Sequence, residues 1–108
     1  MFQSPDQIAD SIGLNKRLIN TIWDSIKIFI VDGAYVRDNY DADFLLGGHY
    51  VVYKFIPENE IWIEAADDME ENLAHELFEL LLMKYCKIGY NEAHLKALSI
   101  EKVLRQVK

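Results

Sequence analysis

The chain contains a single cysteine, Cys86, so no internal disulfide can form. That cysteine falls inside an apolar helical pattern, which predicts a buried, inert thiol. Positive charge is scarce: 11 Lys and Arg stand against 18 Asp and Glu, a formal net charge of −7. This argues against non-specific nucleic-acid binding, which needs a basic surface, and leaves a metal or a cationic partner open. Long apolar runs are missing. The longest, such as Ile28 to Val31, fall far short of a bilayer span. The start, Met-Phe-Gln-Ser-Pro-Asp, has no basic region followed by an apolar run, so no signal peptide is expected. A soluble, cytoplasmic protein with no membrane partner is the reading. Repeats, low-complexity stretches and linkers are also absent from the pattern.

What the chain does have is a core. With 108 residues, 51% of them hydrophobic, it supports one folded domain over residues 1–108. Residues 1–24 read as a helical N-terminal segment. Ser4-Pro5-Asp6 has the chemistry of a helix start, and Ile8, Ile12, Leu18, Ile19, Ile22 and Trp23 recur at roughly helical spacing. Residues 26–64 read as a sheet. Ile26 to Val31, then Asp32-Gly33, then Ala34 to Arg37 predicts a hairpin. Tyr50 to Ile56 predicts a third strand, with Tyr53 packing on the sheet face. Glu60 to Glu64 predicts a fourth, with Glu60, Trp62 and Glu64 on one face and Ile61 and Ile63 on the other. Residues 67–108 read as two helices. The first runs from about Asp67 to Lys87, with Asp68, Glu70 and Glu71 as a solvated, acidic first turn and Gly89 as terminator. The second is capped by Asn91. Strands followed by helices predict an α+β domain.

The chemistry concentrates on the two C-terminal helices. His75 and Glu79 are four residues apart and share a helix face that runs on into Leu82, Met83 and Cys86. Polar groups at the edge of a core need partners, and a metal would be one. Glu76 lies about 100° around the helix from His75, where the glutamate of a zincin helix flanks the metal and acts as base. The chain lacks the second histidine of the standard His-Glu-x-x-His motif. Glu79 stands in its place, and a carboxylate oxygen binds zinc as an imidazole does. His94 is the candidate third ligand, on a helix face with Ala97 and Glu101. Ala97 is small enough to let the helices approach closely. Glu101 is roughly 10 Å along the axis from His94, which suits it to orienting a ligand rather than binding the ion. The competing reading is that His75 and Glu79 form an ordinary contact between neighbouring helix turns. Gly47-Gly48-His49 is either a tight turn with an incidental histidine or a substrate-side loop that brings His49 near the metal.

Three segments carry a resemblance: Gly47 to Ile63 (Gly-Gly-His-Tyr-Val-Val-Tyr-Lys-Phe-Ile-Pro-Glu-Asn-Glu-Ile-Trp-Ile), His75 to Met83 (His-Glu-Leu-Phe-Glu-Leu-Leu-Leu-Met), and Tyr90 to Ala97 (Tyr-Asn-Glu-Ala-His-Leu-Lys-Ala) with Glu101. Together they resemble a group of small bacterial and phage proteins described as metallopeptidase-like. That group has a Gly-Gly-His loop, a His-Glu-x-x-Glu helix and an Ala-His-x-x-Ala-x-x-x-Glu helix. The match covers roughly residues 30 to 105. It implies His75, Glu79 and His94 as metal ligands and Glu76 as base.

The expected fold is therefore a zincin-like α+β domain, with a short, mainly antiparallel sheet packed against an active-site helix and a second C-terminal helix. Glu60 to Glu64 is expected at the sheet edge, where an extended peptide can pair. The expected function is a zinc-dependent hydrolase (zinc or another divalent transition metal) acting on a peptide or amide. Glu76 would be the base, and His49, from the opposite loop, would stabilise the oxyanion. The alternative is a non-catalytic interaction module of a phage or mobile element, with the His/Glu stripe as a structural or metal-binding network. A deep cleft is hard to build in 108 residues, and a homodimer is one way to supply the missing wall.

Overall fold

The computed structural model describes residues 13–106. The expected helix start at Ser4-Pro5-Asp6, with Ile8 and Ile12, lies outside them. The described chain is α+β: β1 (Arg17–Ile22), β2 (Ile26–Val31), α1 (Gly33–Asn39), β3 (Gly47–His49), β4 (Glu60–Glu64), α2 (Met69–Lys84) and α3 (Tyr90–Gln106). The strands form one mixed sheet in the order β1-β2-β4-β3. The β1/β2 and β3/β4 pairs are antiparallel, whereas β2 and β4 run parallel. No helix among the described residues is long and apolar enough to cross a membrane.

Several expectations are corrected. Arg17–Ile22 is a strand, not part of a helix. Trp23 and Asp24 both take positive φ (54° and 56°), which turns the chain back into β2. All of β1 except the partly buried Ile22 is exposed, so no alternation of apolar and polar residues marks it as a strand. The Asp32-Gly33 pair does not close a hairpin. Asp32 caps α1 instead, its Oδ1 accepting from the Tyr35 amide at 3.1 Å. The chain has to leave the sheet there, because the strand that joins β2 on its far side is parallel to it.

Tyr50 to Ile56 is a series of turns. Its apolar residues are explained by packing rather than pairing, since Tyr53 and Phe55 lie against the core built on Phe44, Ile56 and Trp62. The third strand is the short Gly47–His49 segment. It takes the sheet edge expected for Glu60–Glu64, and β4 is internal.

The alternation in β4 reads as expected. Ile61 and Ile63 join Ile26, Ile28 and Leu80 beneath α2. On the opposite face Trp62 packs with Val31 and Val36, and its Nε1 donates to Glu60 at 2.9 Å.

Helix α2 ends at Lys84, earlier than expected. Lys87, not Gly89, adopts the left-handed conformation beyond it (φ 59°). Cys86 therefore lies past the helix and is exposed rather than buried. The Gly89 carbonyl starts α3 by accepting from the Ala93 amide at 3.0 Å. Ala93 and Ala97 are fully buried against α2. Having only methyl side chains there lets two helix backbones approach.

Candidate metal centre

Helix α2 presents His75, Glu76 and Glu79, and α3 presents His94 and Glu101. One ligand atom each of His75, Glu79 and His94 lies within 4.8 Å of the others. Glu79 is the hub. Its Oε2 lies 3.2 Å from His75 Nε2 and 3.0 Å from His94 Nδ1, and its Oε1 lies 2.8 Å from His49 Nε2. Burial pushes the Glu79 carboxyl up, but the hydrogen bonds from His49, His75 and His94 outweigh it and hold the pKa at about 2.

The two separations at Oε2 bear on whether a metal fits. Two ligand atoms each about 2.0 Å from a tetrahedral ion sit roughly 3.3 Å apart. The observed 3.2 and 3.0 Å are close to that edge.

The His75 ring adds a second constraint. Its Nε2 faces Glu79, and its Nδ1 lies 3.0 Å from Glu101 Oε1, although the alignment there is too poor for a hydrogen bond. A neutral imidazole carries one N–H and cannot satisfy a carboxylate at each nitrogen. The site therefore calls for a cation: a second proton on His75, or a metal at Nε2 with the proton on Nδ1. Burial draws the His75 pKa down, but the Glu79 hydrogen bond and the charges of Glu76, Glu79 and Glu101 outweigh it, for a net rise. Glu101 is itself held by Arg105, at 2.9 Å, and Arg105 also reaches Asp68 at 3.1 Å. Glu101 thus stands behind His75, as its distance along α3 suggested.

Glu76 is a partly buried acid beside the cluster, its Oε2 4.0 Å from His75 Nε2. Burial pushes its pKa up to about 8, with the Glu79 charge adding to the rise and His75 opposing it. It lines a pocket of about 360 Å³ together with His75, Glu79, His94, Tyr53 and Leu98. The wall above is the loop carrying Asp43, Leu45 and Leu46.

No family model, curated protein or solved structure matches the chain.

His49 stands apart from its expected place. It is fully buried on β3, behind Glu79, and does not line the pocket. An oxyanion stabiliser must touch the substrate, which this side chain does not reach. The Gly-Gly before it has a packing reason. A Cβ on Gly48 would fall 2.5 Å from the Tyr53 ring, and one on Gly47 would fall 2.8 Å from Ile63 and 3.3 Å from Glu76. Gly47 therefore lets β3 run close to Glu76 of α2, and Gly48 makes room for the Tyr53 ring on the other face.

Sequence reasoning missed Arg105, whose signal is its position four residues after Glu101. It also missed Tyr90, which stacks on His94 at 5.3 Å, one turn earlier on α3. The acidic first turn of α2 is not wholly solvated, because Glu71 is buried.

Proposed function

We propose that the protein is a zinc-dependent hydrolase of zincin-like type, acting on a peptide or amide bond, as its resemblance to metallopeptidase-like proteins implies. The observation that carries the reading is the His75 ring. It lies between two carboxylates and, with Glu79 Oε2 and His94, makes a set of donors spaced for one ion.

His75, Glu79 and His94 would hold the metal. Glu101, behind His75, favours the proton on Nδ1 and so leaves the Nε2 lone pair for coordination. A zinc there supplies Lewis-acid polarisation of the carbonyl and a lowered pKa for bound water. Glu76 would take the proton of the attacking water and deliver it to the leaving amine. Its raised pKa belongs to the metal-free cluster; a nearby dication favours the ionised form that a base requires. Substrate would enter the pocket that Glu76 lines with Tyr53, His94 and Leu98.

The second reading, a non-catalytic network in an interaction module, has an observation in its favour. Glu79 is satisfied by three imidazoles without an ion.

Metal analysis of protein purified without a histidine tag separates the two readings. About one zinc per chain in the wild type, lost in His75→Ala and in Glu79→Ala and retained in Glu76→Gln, is expected. Against a panel of unstructured peptides, Glu76→Gln should lose hydrolysis by at least about 100-fold. A wild type that takes up no divalent metal leaves the network reading standing.

A further inference from the structure

We infer that His49 is a positioning residue that makes Glu79 a one-oxygen ligand. The inference rests on the metal reading above. A carboxylate that binds a metal does so ionised, and an ionised carboxylate only accepts hydrogen bonds. The 2.8 Å contact from His49 Nε2 to Glu79 Oε1 therefore carries the proton on Nε2.

The other ring nitrogen, Nδ1, is buried and has no hydrogen-bond partner among the described residues. The proton thus has one useful place, and the ring is fixed as an Nε2–H donor. With Oε1 occupied, only Oε2 is left to face His75 and His94. A carboxylate free at both oxygens can chelate an ion through both and fill the position that water needs. His49, packed on β3 with no exposure, blocks that rotation from behind without touching substrate. A different arrangement is also conceivable, because one ligand atom each of His49, Glu76 and Glu79 lies within 4.8 Å of the others. In that arrangement His49 would bind a second ion.

The test uses cobalt-loaded, full-length protein, because cobalt(II) absorbs strongly in the visible when four-coordinate and weakly when five- or six-coordinate. His49→Leu keeps a similar volume but removes the donor, and His49→Gln keeps an N–H that can reach Oε1. In His49→Leu the four-coordinate band should collapse, and metal affinity should fall by about 10–100-fold. In His49→Gln band and affinity should largely return. A purely structural role would lower the melting temperature of both variants and leave the band of the folded protein unchanged.

Two results overturn the inference alone: an unchanged spectrum in folded His49→Leu, or two cobalt ions per chain with the second lost in that variant. If His49→Leu does not fold, His49→Met, which also lacks an N–H donor, takes its place with the same two readings, and a His49→Gln spectrum unlike the wild type's also overturns the inference. Wild-type protein that takes up no cobalt overturns the metal reading and this inference together.

Discussion

Glu76 is an acid whose charge the fold disfavours. Its pKa rises from 4.5 to about 8, chiefly through burial, so the native state holds this proton more tightly than the unfolded chain does. The contribution to stability is therefore fully present below pH 4.5 and is lost as pH rises through about 8. Glutamine is neutral throughout and keeps the shape. In chelator-treated protein, Glu76→Gln should melt with the wild type near pH 4 and several degrees above it near pH 9. Thermal melts at the two pH values check this, and equal melting temperatures at the higher pH would mean that Glu76 ionises freely. That His75 and Glu79 share one helix face, and His94 and Glu101 another, was legible in the sequence, because the helix repeat sets which residues share a face. The depth of His49 was not. It depends on the pairing of β3 with β4 and on close approaches at two glycines, which no local pattern encodes.

Elements decide whether these side chains meet. Ala93 and Ala97 are the buried residues of α3, and their small size lets it lie close enough to α2 for His94 to reach Glu79. Ala97→Leu should cost about 1–3 kcal/mol by overpacking, and it should weaken metal binding by pushing α3 outward. Denaturant unfolding and a metal titration measure the two effects. A destabilised variant with wild-type metal affinity would show that the helix spacing is not what seats His94.

On the opposite side of the pocket, Arg37 joins three segments. It donates to both Glu64 oxygens at 2.8 and 2.9 Å and to the Phe44 carbonyl at 3.1 Å, and Glu64 accepts from the Leu46 amide at 3.2 Å. This clamp holds the loop that carries Asp43, Leu45 and Leu46. Arg37→Ala should cost about 1–2 kcal/mol, since the pair is partly screened by solvent. It should also raise the dissociation constant of any ligand bound under that loop, while zinc content stays at the wild-type level. The two C-terminal helices and β4 were readable because long periodic segments and clean alternation survive any tertiary context. The opening of the chain was not. Asp-Gly after a strand serves equally as a hairpin turn and as a helix cap, and only the parallel partner of β2 decides between them.

At the scale of the whole molecule, the question is whether so small a domain would leave a metal held by the proposed ligands accessible. A structural zinc is closed by four protein ligands, whereas a catalytic one keeps a position for water. The proposed site supplies three, His75, Glu79 and His94. Glu101 is excluded as the fourth because it lies at the far nitrogen of the His75 ring and is held by Arg105. Glu76 stays 4.0 Å from His75 Nε2, beyond the roughly 3.3 Å expected for two ligands of one tetrahedral ion. On the proposed reading, the position left for water would lie on the side of the pocket that Glu76, Leu45 and Leu46 line. A small hydroxamate or phosphonate, which binds an exposed zinc directly, should give measurable heat with the zinc-loaded protein and none with the metal-free form. The same titration on Glu76→Gln should still show binding, because that change removes a base and not a ligand. Negligible heat from both wild-type forms, with zinc verified in one, would mean that a protein group closes the site, and would favour the interaction-module reading over hydrolysis.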